Sequence, residues 1–199
     1  MSVRPESGFS LIELLIVMVL VVFGFTMYFG GGSRGFQTRR MTDCRKNLES
    51  MFVAIRTYAT DNDGKFPAVA GASTSEPVLS LLVPKATTDT RCFICPGAKD
   101  RALPEAQPFG NRKISYAYYL GRSSISTADD PLVSDRQVNT NSKTRGQPLF
   151  SVDGKPPGAN HNKYGGNLLF CDGSAKSSPS ASAFDLTNAP GIFLLNPTP

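Results

Sequence analysis

The feature that most constrains this chain is an apolar run over residues 9–29, in which Glu13 is the one charged residue. A helix rises about 1.5 Å per residue, so the run would extend roughly 31 Å, which matches the hydrocarbon thickness of a bilayer. The run therefore predicts a membrane-spanning helix. A carboxylate inside such a helix costs about 2.5 to 3.5 kcal/mol on insertion scales, so we expect Glu13 to have a partner or a purpose.

A short polar leader, MSVRPESG, precedes the run and ends at Gly8. No A-x-A-like cleavage site follows the run, where three glycines stand instead, so a conventional secretory signal is not indicated. The junction of Gly8 with Phe9, followed by Glu13, resembles the processing site of type IV prepilins and type II secretion pseudopilins. The resemblance implies that a prepilin peptidase cuts after Gly8 and methylates the amino terminus of Phe9. It also implies that Glu13 neutralises the methylated amino group of a neighbouring subunit in a filament.

The basic residues around the run favour an orientation in which its C-terminal end lies on the cytoplasmic side. Arg4 precedes the run, whereas Arg34, Arg39 and Arg40 follow it, and basic residues favour the cytoplasmic side. The processing motif implies a single-pass helix in the inner membrane with the C-terminal part in the periplasm. We give the motif precedence over the charge count.

The remainder of the chain, roughly 160 residues, suits one soluble domain with its own core. The net charge is +5, but the basic residues are scattered rather than gathered into a stripe, so nucleic acid is not indicated as a partner. Arg39, Arg40, Arg45 and Lys46 could touch phospholipid or nucleic acid. A solvated helix face is the simpler interpretation of these four residues.

Two segments connect the apolar run to the rest of the domain. Residues 30–36 are rich in glycine and predict a loosened hinge, because each glycine costs a helix up to about 1 kcal/mol relative to alanine. Residues 37–60 carry apolar side chains at alternating steps of three and four, with charged residues between them. This pattern predicts an amphipathic helix that ends at the turn-rich residues 61–64.

The remaining residues predict a small, mostly antiparallel sheet with long loops. A short helix is expected over residues 77–84, and strands are expected over residues 90–95, 114–120, 131–135, 149–152, 167–171, 174–177 and 192–195. Alternation within residues 114–120 predicts a half-buried strand, and Asp172-Gly173 predicts a type I′ hairpin turn. The fold class is therefore α+β and pilin-like: a long N-terminal helix, first transmembrane and then amphipathic, packs on this sheet.

The segment that begins at His161 resembles the H-x9-DG motif of many prepilin-type bacterial proteins, with Asp172 and Gly173 as its Asp-Gly pair. The spacing departs from the motif, because ten residues separate His161 from Asp172. The fragments DNDGKFP, FICP and SYAYYLG look similar to the same group, and together they imply a pseudopilin-like head. We interpret His161, Asp172 and Gly173 as structural, since a lone histidine offers no nucleophile or orienting network.

Asp61 and Asp63 lie in a D-x-D-G fragment that resembles the start of a calcium loop. The fragment lacks the later bidentate glutamate of an EF-hand, so a helix-terminating turn explains it more simply. Calcium is the one cofactor that we keep as an alternative, partly because some major pseudopilins bind it in the head.

The chain has four cysteines, which are Cys44, Cys92, Cys95 and Cys171. The spacing of Cys92 and Cys95 occurs in zinc and redox sites, but a four-ligand site would need Cys44, Cys171 or His161 to converge on it. In a strand, Cys92 and Cys95 would point to opposite faces, so any disulfides would run from this segment to Cys44 or Cys171. One or two disulfides suit an exported domain, and buried free thiols are the alternative.

The resemblance and the residues together predict a structural subunit rather than an enzyme, assembling into a type II secretion pseudopilus or a type IV pilus-like filament. Its expected partners are other pilin or pseudopilin subunits, the prepilin peptidase, the assembly platform and the membrane. One alternative is a membrane-tethered periplasmic binding or redox protein with a reactive thiol in residues 92–95. Another is a minor pilin that binds DNA or a surface.

Overall fold

The computed structural model describes residues 10–29 and 33–199. The predicted processing residues Gly8 and Phe9 therefore lie outside the described residues. The chain divides into two compact units, Met1–Phe36 and Gln37–Pro199. We call the second unit the head and describe each unit by itself.

The first unit contains helix α1, Leu11–Phe29. Its residues are almost all apolar, and the window Leu11–Tyr28 is long and apolar enough to cross a membrane, with none of it buried by the described part of the chain. A helix satisfies its backbone hydrogen bonds internally, which allows such a sequence to exist in lipid. The structure thus agrees with the predicted apolar helix over the residues that it describes.

Helix α2, Ser33–Thr60, includes the predicted amphipathic segment and begins four residues before residue 37. Gly35 is therefore helical, since one glycine costs about 1 kcal/mol and a long helix tolerates that cost. Residues 30–32 lie outside the described residues, so the loosened hinge over residues 30–36 stays a prediction. The buried face of α2 comprises Cys44, Leu48, Met51, Ala54, Ile55 and Ala59.

Helix α2 ends where the sequence predicts a turn. The backbone N–H of Gly64 donates to the carbonyl of Ala59 at 2.8 Å, and the Asn62 side chain donates to the carbonyl of Tyr58 at 2.7 Å. Asp63 and Gly64 both have positive φ, at 52° and 77°, which reverses the chain direction after the helix.

The sheet of the head contains five strands in the order β4-β3-β2-β1-β5, and every neighbouring pair is antiparallel. The strands are β1 Tyr116–Leu120, β2 Pro131–Asp135, β3 Gly166–Phe170, β4 Ala175–Ser178 and β5 Phe193–Leu195. The prediction of a small antiparallel sheet is confirmed. β5 forms one edge of the sheet, while β2 lies in the centre.

The β3–β4 hairpin is confirmed, but its turn is not the predicted type I′. Gly173 has a φ of 87°, whereas Asp172 does not share a positive φ. The N–H of Gly173 donates to the carbonyl of Phe170, and the N–H of Phe170 donates to the carbonyl of Ser174. These bonds define a three-residue loop in which a left-handed glycine follows a tight turn.

Both faces of the sheet are buried, and this differs from the half-buried strand that we expected for β1. Tyr116 and Tyr118 pack in the large core together with α2, while Ala117 and Tyr119 pack on the opposite face with Leu194. A separate cluster around Leu149, Phe150, Leu168, Phe170 and Leu186 covers the same sheet elsewhere. The alternation in β1 therefore separates two apolar environments rather than core from solvent.

Two predicted strands are absent from the described residues. Residues 90–95 instead include a 3-10 helix, Thr90–Phe93, whose first turn is capped by the Asp89 carboxylate accepting from the Arg91 N–H. Residues 149–152 form no strand; an isolated bridge joins Pro148 to Ala181. The short helix predicted over 77–84 is present as α3, Ser75–Leu79, followed by a 3-10 turn, Ser80–Leu82.

Candidate functional site

Glu13 lies in the first turn of α1, on the exposed surface of an otherwise apolar helix. Its backbone N–H donates to the carbonyl of Ser10 at 3.0 Å, so the helix begins immediately before it. Within residues 10–29 and 33–199, the Glu13 carboxylate makes no hydrogen bond or ion pair. A carboxylate of this kind can pair with a cation supplied from outside the described chain.

A second carboxylate, Asp135, stands at the end of β2 and is completely buried. One oxygen, Oδ1, accepts from the Asn160 side chain at 2.9 Å, and the other, Oδ2, accepts from the Asn167 N–H at 2.8 Å. These donors compensate for the water that burial removes from the carboxylate. Burial raises the pKa of Tyr116 well above its usual value, and the nearby Asp135 charge adds to the rise.

His161 is also completely buried, and its Nε2 atom faces two groups at once. Nε2 lies 3.3 Å from Asp135 Oδ2 and 3.3 Å from Cys95 Sγ. The other ring nitrogen, Nδ1, has no hydrogen-bond partner among the described residues. The polar contacts of the ring are thus directed to one carboxylate and one sulfur.

Cys95 is joined to Cys44 of α2 by a disulfide whose Cα atoms are 5.3 Å apart. Cys44 lies on the buried face of α2, and Cys95 follows the 3-10 helix, which replaces the strand that we predicted there. Sequence analysis left open whether this segment bridges to Cys44, and the structure makes that connection. The N–H of Gly97 also donates to Cys95 Sγ at 3.3 Å.

Cys92 is a buried free thiol, and Cys171 is a half-buried one. Burial raises the pKa of the Cys92 thiol to about 12, and the Asp89 charge adds to the rise. Burial likewise raises the pKa of the half-buried Cys171 to about 11. Both thiols are therefore protonated at neutral pH, so neither is a reactive thiolate.

Four side chains could together hold a metal ion, and they are Cys44, Cys95, Asp135 and His161. Each offers one ligand atom, these atoms all lie within 4.8 Å of one another, and all four residues are buried. Among the described residues Asp61 and Asp63 belong to no such group, and both side chains are exposed. Calcium binding at Asp61 and Asp63 stays a prediction.

The two parts of the H-x9-DG-like segment have separate surroundings. His161 contacts Cys95 and Asp135, whereas the Asp172 carboxylate is exposed and accepts from the Ser174 N–H at 2.8 Å. Gly173 lies against α2, where an added Cβ would stand 2.6 Å from the ring of Phe52. The Asp-Gly pair therefore positions the hairpin against the helix.

The basic residues that follow α1 in sequence lie along α2. Arg45 pairs with Glu49 at 3.9 Å and Lys46 with Asp43 at 3.8 Å, each within the helix and exposed. Such pairs are typical of a solvated helix face and contribute little to stability. For Arg45 and Lys46 this agrees with the simpler of our two interpretations, while for Arg39 and Arg40 it stays a prediction.

Sequence reasoning missed three residues that build the buried cluster. Asp135, Asn160 and Asn167 occur in unrelated segments, and each would pass as an ordinary loop or strand-end residue. One weak signal was present in the sequence, since Asp135 is a charged residue at the end of the apolar strand β2. The structure shows that solvent cannot reach it.

The family model described as the prokaryotic N-terminal methylation motif matches residues 3–29. No curated protein and no solved structure matches the chain at a significant level. The motif is typical of type IV pilins and pseudopilins, which are structural proteins that generally assemble with other pilin subunits. The chain thus carries an N-terminal methylation motif typical of type IV pilins and pseudopilins, together with a membrane-capable helix and an α+β head.

Proposed function

We propose that this protein is a structural subunit of a type II secretion pseudopilus or a type IV pilus-like filament. In this proposal a prepilin peptidase cuts after Gly8 and methylates Phe9, and an assembly platform then adds the subunit to the filament. Helix α1 anchors the subunit in the inner membrane before assembly, with the head in the periplasm.

The observation that carries the proposal is the exposed apolar surface of α1. Its large apolar side chains between Leu11 and Tyr28 are 47% to 84% exposed in the described structure. Exposed apolar area costs about 25 cal/mol per Å², so a helix of this kind requires lipid or the helices of other subunits around it. In a filament, neighbouring copies of α1 would bury one another.

Glu13 supports the same proposal, because its carboxylate has no partner among the described residues. Pairing with the methylated amino group of a neighbouring Phe9 would remove two isolated charges from an apolar bundle. Breaking such a buried pair by deleting one partner costs about 3 to 5 kcal/mol. The pair would therefore specify the axial register between neighbouring subunits.

The head differs from α1, since most of its large apolar residues are buried in its own core, with Val53, Ile125, Val152 and Phe193 as exposed exceptions. It does not need a partner to cover a large apolar surface. We propose that its loops, including residues 121–158, form the outward surface of the filament.

The experiment combines processing and assembly in cells that express the full chain. We expect Gly8→Val to block loss of residues 1–8 and addition of the methyl group, which intact-mass analysis measures. We expect Glu13→Ala to be processed normally but to fall at least about 100-fold in sheared filament fractions, from the ion-pair cost. Glu49→Ala is the matched control, because Glu49 is an exposed acid in a helix. Normal processing and incorporation of both the Gly8 and Glu13 variants would contradict the proposal.

A further inference from the structure

The buried cluster of Cys44, Cys95, Asp135 and His161 has no role in the proposed assembly, and its composition is unusual for a protein core. A carboxylate, an imidazole and two sulfurs converge from four separate segments of the head, and each residue has 0% exposure. Buried ionisable groups are costly unless they are paired or bind a metal. The cluster therefore calls for a chemical explanation of its own.

We propose that the cluster is a redox-controlled site for one Zn²⁺ ion, which binds when the Cys44–Cys95 disulfide is reduced. Two thiolates, one imidazole nitrogen and one carboxylate oxygen are a ligand set that Zn²⁺ accepts in tetrahedral geometry. Oxidation of the two thiolates to the disulfide withdraws both sulfur ligands and releases the ion. This proposal goes beyond the filament role and does not depend on it.

The observed distances fit such a site. Zinc–ligand bonds of about 2.0 to 2.3 Å place the ligand atoms of a tetrahedron about 3.3 to 3.8 Å apart. His161 Nε2 already stands 3.3 Å from Asp135 Oδ2 and 3.3 Å from Cys95 Sγ. The two sulfurs are the atoms that must separate, and breaking their bond permits that movement.

The surroundings of the four ligands also suit a charged metal centre. Two thiolates and one carboxylate exceed the charge of Zn²⁺ by one, so the site needs hydrogen-bond donors around it. The N–H of Gly97 donates to Cys95 Sγ, and Asn160 and Asn167 donate to the Asp135 carboxylate. A sulfur in a disulfide is a weak acceptor, whereas a thiolate would benefit more from the Gly97 N–H.

A route from solvent reaches the layer next to the cluster. A cavity of about 230 Å³ is lined by Gly97, Asn160, Asp100 and Arg136, among others. Gly97 lies against the His161 ring, where an added Cβ would stand 2.6 Å from Nδ1. Asn160 holds the Asp135 carboxylate. A small ion in this cavity is thus separated from the ligands by one layer of residues.

A dithiol can reduce the Cys44–Cys95 disulfide. The dithiol transfers two electrons to the Cys44–Cys95 bond and becomes a disulfide, and the head gains two thiols. Binding of Zn²⁺ then displaces both thiol protons to solvent. In the reverse direction, a disulfide oxidant accepts the two electrons and two protons from solvent and becomes a pair of thiols, while the head disulfide forms and Zn²⁺ leaves.

The test uses the full chain in detergent, with Co²⁺ as a spectroscopic substitute for Zn²⁺. A phosphine reductant opens the disulfide; it is oxidised to the phosphine oxide with oxygen from water. We expect the reduced chain to develop thiolate-to-cobalt absorption that saturates at one equivalent, and Zn²⁺ to displace the cobalt. The oxidised chain should show no such absorption.

Variants identify the ligands. Asp135→Asn and His161→Gln should each weaken metal affinity by at least about 10- to 100-fold, the loss known for disturbing even outer groups of a metal site. Cys44→Ser should lack the two-thiolate spectrum under the same reducing conditions in which the unaltered chain shows it. Cys171→Ser is the matched control and should bind like the unaltered chain, because Cys171 lies outside the cluster.

The proposal is overturned if the reduced and folded chain shows no thiolate-to-cobalt absorption, or if Cys44→Ser retains the full spectrum. Circular dichroism provides a second measurement in case reduction or a substitution unfolds the head. Zn²⁺ should then restore the folded signal of the reduced chain, and should not do so for Cys44→Ser. Failure of Zn²⁺ to restore the reduced chain would also overturn the proposal.

Discussion

Helix α1 and the head each contain an acidic residue among apolar ones, but the two carboxylates have opposite environments. In α1, Glu13 is exposed on a helix whose apolar side chains are exposed too, and no described group pairs with it. In the head, Asp135 is completely buried and receives hydrogen bonds from Asn160 and Asn167. The head thus satisfies the Asp135 carboxylate internally, while α1 leaves both Glu13 and its apolar surface for something outside the described chain.

This difference separates folding from assembly. Substitutions in the head should change its free energy of unfolding, because the head buries its apolar groups within one chain. Substitutions in α1 should leave that quantity nearly unchanged and should act on membrane association or assembly instead. The following predictions test this separation, from the largest expected effect to the smallest.

Loss of the Cys44–Cys95 disulfide should have the largest effect on the head. The bridge joins residues 51 positions apart, and a loop of that length stabilises a fold by about 4 kcal/mol in the chain-entropy model. Denaturant unfolding of Cys44→Ser in metal-free detergent solution should show that loss. Cys171→Ser should change the unfolding free energy by less than about 1 kcal/mol, as expected away from such features. Equal losses in both variants would contradict the prediction.

Two leucines compare α1 and the head directly. Leu48 on α2 is 0% exposed, whereas Leu15 on α1 is 57% exposed. Leu48→Ala should lower the free energy of head unfolding by about 3 kcal/mol, because it leaves a cavity in the core. Leu15→Ala should change it by less than about 0.5 kcal/mol. A large effect of Leu15→Ala on head unfolding would show that α1 is part of the cooperative unit.

Two glycines with nearly the same backbone conformation test the contact between the hairpin and α2. Gly173 has a φ of 87° and Gly146 a φ of 89°, but only an added Cβ at Gly173 would meet Phe52, at 2.6 Å. Gly146→Ala should cost about 1 kcal/mol for the left-handed conformation. Gly173→Ala should cost about 2 to 3 kcal/mol, since the Phe52 ring must also shift. Thermal unfolding measures the difference, and equal costs would exclude a packing contribution from Phe52.

The buried Cys92 thiol predicts a small loss of stability at alkaline pH. Its folded pKa is raised to about 12, so above the ordinary thiol pKa the unfolded state loses a proton that the folded state keeps. Stability is therefore fully present below about pH 8.5 and falls as pH rises toward the folded pKa, by up to about 1.4 kcal/mol per pH unit.

The Cys92 effect is best measured between about pH 8 and pH 9, before most tyrosines of the unfolded chain, with an ordinary pKa of about 10, ionise. Unfolding of Cys92→Ser over this range should show a shallower decline than the unaltered chain. Substitution of Cys92 should not alter the membrane association or assembly that depends on α1. An unchanged slope would contradict a contribution from the Cys92 thiol.

The sequence alone determined the elements that depend on local patterns. Steps of three and four in the apolar residues identified the buried face of α2, including Leu48 and Ile55. The polar leader and the apolar run identified the N-terminal motif, and the Asp172-Gly173 pair located the hairpin between β3 and β4. These features are readable because each depends on residues close together in the chain.

Tertiary structure alone decided how distant residues meet. It joined Cys44 to Cys95, placed His161 and Asp135 beside them, and covered the second face of the sheet, which the alternation in β1 could not reveal. It also made residues 90–93 a 3-10 helix where a short apolar run suggested a strand. The reason is physical: burial depends on what packs against a segment, and a local pattern records only that one side differs from the other.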